Sequence, residues 1–286
     1  MAESTLVMGA VAYDPKVVTI WEGFRRWLRT AGLPFDFVLY SNYERQVGDL
    51  VGGRIDAAWN SPLAWLRAQR LAAARGRSVR SAVMRDTDQD LTSVVVVRAD
   101  SGCSSLSDLK GRVVAVGAVD SPQSTLIPLS YLRAAGLRPE EGITVRRFDI
   151  GVGLHGDHIG GERDAARALA AGEVDAACMI DANHLLFSQE GILPAAASRI
   201  LAQTLPYDHC NMTVVDTAPG ELADRFVNLL LSMSYDDPEV RPLLDLEGLR
   251  AWRQGRTTGY ALLDTAVNET AFYDATGAVT DPEYVP

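Results

Sequence analysis

Residues 43–62 read "YERQVGDLVGGRIDAAWNSP", a stretch that predicts a helix, a glycine turn and a short buried strand in immediate succession. The helix covers "YERQVGDLVGGR", and the apolar strand "IDAAWN" then runs into a polar loop. A strand at 5–12, an amphipathic helix at 14–33 and a strand at 35–40 precede it, so that a βαβαβ unit is complete. Strands that alternate with helices in this way are typical of an α/β fold with largely parallel sheets.

A second stretch, "AGEVDAACMIDAN" at 171–183, repeats the pattern of "GGRIDAAWNSP" at 52–62. Each has small residues, an acidic and apolar strand, and a polar loop at the strand's carboxyl end. The apolar strand "LTSVVVVRAD" at 91–100 is predicted to end the first unit. The sequence therefore predicts two similar α/β lobes, and ligands of such sheets bind beyond the carboxyl ends of the strands.

Composition excludes several classes of protein. The chain has 286 residues, of which 47% are hydrophobic and 22% charged, and its net charge is −10. A broad nucleic-acid surface needs a basic footprint, which this charge does not provide. No apolar run approaches the roughly 20 residues of a transmembrane helix. The three cysteines, Cys103, Cys178 and Cys210, are too widely spaced for a disulfide framework or a structural zinc site. We expect a monomer whose partner is a small molecule.

The N-terminal residues leave the location of the protein open. "MAESTLVMGAVAYD" has Glu3 where a signal peptide would have a basic region, and its apolar part suits a buried first strand. If Met1 is native, we expect a cytoplasmic protein. If a leader has been removed, we expect an extracytoplasmic one.

Five stretches together resemble a known family. They are "SNYERQVGDLVGGRIDAAWNSPLAWL", "SDLKGRVVAVGAVDSPQSTLIPLSYLRAAGL", "ERDAARALAAGEVDAACMID", "LPYDHCNMTVVDTAP" and "WRQGRTTGYALLDTAV". In this order they are similar to the phosphate/phosphite/phosphonate-binding proteins of ABC importers, which have the type 2 periplasmic-binding-protein fold. The similarity covers most of the chain.

The resemblance implies two lobes with a ligand cleft between them. The first lobe is expected to be discontinuous, with residues 1–95 and 208–286, and the second to span 96–207. Two crossovers, near 93–100 and 204–211, would form a hinge, and closure of the lobes would trap the ligand. An ABC permease is an expected partner if the protein is exported.

The resemblance also implies ligand-binding positions. In the first lobe these are Asn42, Tyr43, Trp59, Asn60 and Ser61, and the sequence adds Tyr13, which follows the first strand.

In the second lobe, the family's Ser-Thr-Ser run falls on Ser121, Pro122 and Gln123, or on Ser124 and Thr125 in a shifted register. The family's cleft histidine falls on Glu162 or Arg163. These departures predict that simple alkylphosphonates and phosphate bind weakly.

The four histidines all lie on segments that border the predicted cleft. "HGDHIGGE" at 155–162 contains two of them, His184 lies beside Asp181, which matches a cleft acid of the family, and His209 lies in the second crossover. Three interpretations stay open: solvated loop histidines, ligand recognition, or a metal or acid–base site. A divalent metal would be held by His155, Asp157 and His158.

Two functions are considered, and the resemblance favours the first. The first is the binding of a small polar or anionic solute, other than a simple phosphonate, in the cleft. The second is a cytoplasmic enzyme on the same fold, of lyase or decarboxylase type on an acidic metabolite. Its catalytic residues would come from His155, His158, His184, His209 and Asp181. If the site is catalytic or binds a metal, replacing His155 or His158 with alanine is expected to abolish turnover or metal content. The melting temperature is expected to stay nearly unchanged, because loop residues contribute little to the buried core.

Overall fold

The chain folds around two β-sheets, in agreement with the two α/β units predicted from the sequence. The computed structural model describes residues 4–139, 141–156, 159–194 and 196–286. The strands are β1 (Leu6–Val11), β2 (Phe35–Tyr40), β3 (Ala57–Asn60), β4 (Val79–Arg85), β5 (Ser93–Arg98), β6 (Val113–Val116), β7 (Thr144–Arg147), β8 (Ala176–Ile180), β9 (Ser198–Gln203), β10 (Asn211–Val215) and β11 (Trp252–Gln254). The helices are α1 (Lys16–Thr30), α2 (Tyr43–Val51), α3 (Pro62–Ala74), α4 (Ile127–Ala134), α5 (Gly160–Ala170), α6 (Asp181–Gln189), α7 (Gly220–Ser232), α8 (Arg241–Glu247) and α9 (Ala261–Thr270).

The first sheet contains the predicted βαβαβ unit. Its strand order is β11-β4-β10-β3-β1-β2, and β1 pairs with both β2 and β3 in parallel. The later strand β10 returns antiparallel between β3 and β4, with Thr213 opposite Ala58. Strands β4 and β11 were not predicted from the sequence. We call this sheet, with the helices that pack on it, the first lobe.

The second sheet has the order β7-β6-β8-β5-β9, and we call it, with α4, α5 and α6, the second lobe. Strand β5 pairs antiparallel with both β8 and β9. The first crossover therefore lies at 86–92, and the predicted position at 93–100 is wrong. The apolar run Val94–Val97 indicates burial on both faces but not the sheet to which a strand belongs. The division of the lobes at 95/96 and 207/208 stays a prediction.

The core of the first lobe fixes the base of the cleft. The predicted apolar face of α1 is buried and includes Trp21 and Phe24, whose ring centroids are 5.3 Å apart. Phe35 on β2 stacks on Phe226 of α7 at 5.4 Å. Aromatic rings of this size contribute much of a core's stability, so the strands that present the cleft residues are firmly held.

The C-terminal segment, residues 271–286, closes over the boundary between the lobes. Tyr284 packs against Phe272 at 4.8 Å, and Val152 of the second lobe joins the same apolar cluster. Arg147 of the second lobe forms an ion pair with Glu283. The segment thus contacts both lobes.

Candidate functional site

A turn of the second lobe, residues 153–156, lies at the centre of the boundary between the lobes. The backbone N–H groups of Gly153 and His155 both donate to Asp120 Oδ2, at 2.8 and 2.9 Å. His155 has a φ of 51°, in the left-handed region that non-glycine residues rarely adopt. A strained conformation of this kind persists only where surrounding contacts stabilise it, so the contacts around this turn hold it in one conformation.

The His155 side chain crosses into the first lobe and is completely buried there. Its ring stacks on Tyr43, with centroids 4.7 Å apart and planes 14° from parallel. Nδ1 lies 2.8 Å from Ser61 Oγ, and Nε2 lies 3.1 Å from Glu44 Oε1 and 3.0 Å from the Tyr284 hydroxyl. His155 is therefore the side chain that joins the two lobes.

The hydrogen bonds favour one arrangement of the imidazole protons. Ser61 is the N-cap of α3, where its Oγ accepts from Ala64 N at 3.1 Å. Its hydroxyl proton is then free to point at Nδ1 of His155, and Nε2–H can donate to Glu44. Among the side chains that contact the imidazole of His155, Glu44 is the one that carries a negative charge. Burial would raise its pKa, but His155, Arg67 and the Tyr273 hydroxyl outweigh burial and lower the pKa to about 2.

The second-lobe side of the boundary is built from the π-helical turn Pro122–Leu126 and the start of α5. Ser121 caps the turn, and its Oγ lies 2.7 Å from Ser124 Oγ. Gln123 Nε2 donates to the carbonyl of Gly156 at 2.8 Å, so the turn at 153–156 is held from this side as well.

Glu162, in the first turn of α5, is the buried acid of the second lobe. Its Oε2 accepts from Ile180 N at 3.1 Å and from Asn183 Nδ2 at 2.8 Å. Burial raises the pKa of Glu162 to about 7, although the hydrogen bonds from Asn183 and Ile180 oppose the shift.

Replacing Glu162 with glutamine is expected to stabilise the protein by about 2–3 kcal/mol at pH 8 and hardly at all at pH 4. The folded pKa exceeds the unfolded one, so ionisation of Glu162 opposes folding. That destabilisation begins as pH rises past the unfolded pKa, grows until about pH 7 and is then constant. Urea unfolding of both proteins at the two pH values measures it. Equal differences at pH 4 and pH 8 would contradict the electrostatic origin.

Buried oxygens without a hydrogen-bond partner gather at this boundary. Within the described ranges they include Glu44 Oε2, Asp120 Oδ1, Gln123 Oε1 and Glu162 Oε1, and also Thr125 Oγ1 on the π-helical turn. Buried polar atoms in folded proteins are nearly always hydrogen-bonded, so unpartnered ones mark places where water or a ligand binds. We call the set Glu44, Ser61, Asp120, Gln123, His155 and Glu162 the interlobe junction.

Several of the predicted ligand-binding residues have other partners. Asn42 caps α2, where its Oδ1 accepts from Arg45 N at 2.9 Å. Trp59 packs edge-on against Trp252 in the core of the first lobe, at 5.6 Å. Tyr13 is half-buried and packs against that same core.

Asn60 is buried and bonded on both sides, to Gln46 at 2.8 Å and to Thr213 at 2.9 Å. Both ends of its amide are therefore occupied within the first lobe.

The three histidines that the structure describes do not contact one common group. His184 lies 3.4 Å from Ser198 Oγ, and its neighbour in sequence, Asp181, accepts from Thr92 Oγ1 at 3.0 Å. Burial lowers the pKa of His184, against the charge of Asp181. Three histidines thus occupy three separate environments, since His209 lies in the hinge. His158 and Asp157, which the predicted metal site requires, lie outside the described residues.

The hinge holds a buried cluster of Asp88, His209 and Cys210, whose potential ligand atoms lie within 4.8 Å of one another. Arg85 contacts both oxygens of Asp88, at 2.6 and 2.9 Å, which sets a cation against any metal at that carboxylate. His209 N donates to the Asp88 carbonyl at 2.8 Å. We interpret the cluster as the clamp that holds the two crossovers together.

Comparison with known proteins identifies the class. A family model described as ABC transporter, phosphonate, periplasmic substrate-binding protein matches residues 9–260. The chain belongs to this family of solute-binding proteins and has their two-lobed fold, as the resemblance implied. Membership implies a small-molecule ligand and a permease partner. The alternative of an enzyme on the same fold finds no support. Comparison with curated protein sequences gives no match.

Solved structures share the fold at low identity. PhnD1 of Prochlorococcus marinus, in complex with methylphosphonate, is 14% identical with a TM-score of 0.68, over 93% of this chain and 97% of its own. A Xanthomonas citri protein bound to ATP is 19% identical with a TM-score of 0.67, over 93% and 96%. The aliphatic sulphonate binding protein SsuA of Escherichia coli is 15% identical with a TM-score of 0.55, over 100% and 94%.

No helix of the described residues is long and apolar enough to cross a membrane.

Three residues at the boundary between the lobes were not predicted from the sequence: Glu44, Asp120 and Tyr284. Glu44 and Asp120 directly adjoin predicted site residues, and an acid next to a predicted cleft position was a usable signal. Tyr284 lies far along the chain from His155 and carried no such signal.

Proposed function

We propose that this chain binds its solute at the interlobe junction, with one face of the solute on Glu44 and Ser61 and the other on the π-helical turn and Glu162. The observation that supports this location is the gathering of unpartnered buried oxygens there. Closing lobes exclude water around a bound solute, and each oxygen left without a partner then raises the free energy of the closed state. A solute that supplies hydrogens to these oxygens favours closure.

The solute class we propose is small and polar, and is not a simple alkylphosphonate. Only Ser121 supplies a hydroxyl in the run Ser121, Pro122 and Gln123, where the family has three. A carboxyl, that of Glu162, is buried beside this run and lines the same small cavity as Ser121 and Ser124. A fully ionised phosphonate placed there would lie against a second negative charge with little water to screen it.

Methylphosphonate and phosphate are accordingly expected to bind with Kd values above about 1 mM at pH 8, measured by isothermal titration calorimetry. Tight binding of either would contradict the proposed class and would indicate that Ser124 and Thr125 replace the missing hydroxyls.

The location at the junction has its own test, a thermal-shift screen of small amines, carboxylates and phosphonates followed by small-angle scattering. At least one solute is expected to raise the melting temperature and to decrease the radius of gyration, and Ser61→Ala is expected to weaken its binding. A solute that binds equally well to Ser61→Ala and leaves the scattering unchanged would place the site elsewhere.

We further propose that the protein is a monomer and that, if exported, it delivers its solute to an ABC permease. The net charge of −10 and the family support this, and light scattering measures the oligomeric state.

A further inference from the structure

The second-lobe half of the interlobe junction encloses a cavity of about 10 Å³. This volume is close to the least that holds one water molecule, so a single small polar group fits it. The residues that line it include Gly117, Ser121, Ser124, Gly156, Gly161 and Glu162.

The glycines bring backbone close around this cavity. A Cβ on Gly161 would lie 2.5 Å from the carbonyl oxygen of Phe148, and one on Gly156 would lie 2.6 Å from Gln123 Oε1. Gly156 also has a φ of 79°, which favours glycine. The wall at Gly156 and Gly161 therefore leaves no space for a side chain. Glu162 is the ionisable group among the residues that line the cavity.

The polar atoms left free around the cavity are hydrogen-bond acceptors. Glu162 is 2% exposed, and its Oε1 has no partner among the described residues although Oε2 has two. Gln123, 4% exposed, uses its Nε2 on Gly156 and keeps Oε1 unpartnered. The serine hydroxyls can accept as well. A group that complements these atoms has to donate several hydrogens.

We propose that this cavity is the subsite for a primary ammonium group of the solute, held by the carboxylate of Glu162. The inference rests on the proposed function and adds the substrate class: a small primary amine. An ammonium head is about the size of a water molecule, it donates up to three hydrogen bonds, and its charge neutralises a carboxylate whose ionisation is otherwise opposed by burial.

The groups around Glu162 are compatible with this assignment. The ionisable groups that interact electrostatically with Glu162 are Cys178 on β8 and Tyr207 and His209 of the second crossover. Burial raises the pKa of Cys178 to about 12, so its thiol stays neutral and adds no competing charge near pH 7. Glu162 is therefore the acid that an ammonium group would meet.

Proton linkage predicts the direction in which the affinity for an amine changes with pH. In the free protein the pKa of Glu162 is about 7, so at lower pH the carboxyl must lose a proton before it can pair with an ammonium ion. Affinity for an amine should therefore weaken about tenfold for each pH unit below 7 and be constant above it. An anion bound at the same place would show the opposite trend, since ionised Glu162 repels it.

The test is isothermal titration calorimetry of the full chain between pH 5.5 and 8.5 with two matched pairs of probes. These are β-alanine against propionate, and ethanolamine against ethanol, which differ in the ammonium group. The amines stay protonated throughout this range. We expect the amines to bind at least tenfold more tightly than their partners at pH 8, with the pH trend given above. Glu162→Gln is expected to weaken amine binding at least tenfold at pH 8 and to abolish the pH trend.

Glu173→Gln is the control, because Glu173 is an exposed acid just past the C-terminal end of α5, and it should leave both results unchanged. The inference is overturned if neither amine binds, if propionate binds as tightly as β-alanine, or if amine affinity rises as pH falls. Binding of propionate or methylphosphonate in the cleft without the amines would leave solute binding standing and remove only the ammonium subsite.

Discussion

His155→Ala is expected to lower the free energy of unfolding by about 3–5 kcal/mol, because it leaves the charge of Glu44 buried without its main partner. The substitution also removes a stacked ring and bonds to Ser61 and Tyr284. In a chain of this length, such a loss corresponds to a fall of about 10 °C in melting temperature. The expectation from sequence, that the melting temperature would hardly change, assumed an exposed loop and is reversed by complete burial.

Urea unfolding at pH 7 measures this effect, with two further variants as controls. His184→Ala, at a half-buried histidine with one hydrogen bond of 3.4 Å, is expected to change stability by less than about 1 kcal/mol. The double variant His155→Ala/Glu44→Gln should recover part of the loss, since the stranded charge is gone. A His155→Ala protein as stable as His184→Ala would contradict the role of His155 in joining the lobes.

The fold was largely predictable because helix and strand periods are local properties of the sequence. The apolar face of α1 and the alternation of short apolar runs with helices were enough to predict two α/β lobes. The sheet to which β5 belongs was not predictable in this way. Val94–Val97 is apolar on both faces, and only pairing with β8 and β9 decides the sheet.

The site was predictable in part, and for a different reason. Tyr43 and Ser61, which the resemblance singled out, both contact His155, which the histidine count singled out. Their role in ligand binding stays a proposal. Glu44 and Asp120 adjoin predicted site residues, but adjacency alone does not show that a carboxyl will point into the boundary between the lobes.

The position of a histidine at the end of a strand does not show which group its side chain contacts. Residues that follow strands of one sheet share an edge, but the direction of each side chain depends on packing. His184 turns to Ser198, and His209 is held in the hinge by Asp88 and Cys210. The sequence near His184 does not predict its contact with Ser198, and the sequence near His209 does not predict its contact with Asp88.

The hinge clamp leads to the second large effect: Asp88→Asn is expected to destabilise the protein by about 3 kcal/mol at pH 7. The Asp88 carboxylate is 1% exposed and receives Arg85 on both oxygens. A neutral amide leaves the largely buried guanidinium of Arg85 with Glu247, whose carbonyl oxygen lies at 3.0 Å and whose carboxylate lies at 3.4 Å. Breaking one side of a buried pair costs about 3–5 kcal/mol, and Glu247 keeps the loss near the lower end.

The pH dependence separates this electrostatic effect from a packing defect. Burial would raise the pKa of Asp88, but Arg85 and His209 outweigh it and lower the pKa to about 2. A folded pKa below the unfolded one means that Asp88 stabilises the protein above about pH 4, and that this contribution, about 2 kcal/mol, disappears as pH falls towards 2. Asp88→Asn should therefore differ from the unsubstituted protein much more at pH 7 than at pH 2.

Asp90→Asn is the matched control, since Asp90 lies on the same crossover and pairs with Arg256 at 2.7 Å but has a side chain that is 67% exposed. Its loss should change stability by less than about 1 kcal/mol, as for other surface ion pairs. Because Asp88 also connects the first crossover to His209 of the second, Asp88→Asn is expected to loosen the hinge and to increase the radius of gyration measured by small-angle scattering, whereas Asp90→Asn should not. Equal unfolding free energies and equal radii for the two variants would show that the buried cluster does not clamp the crossovers.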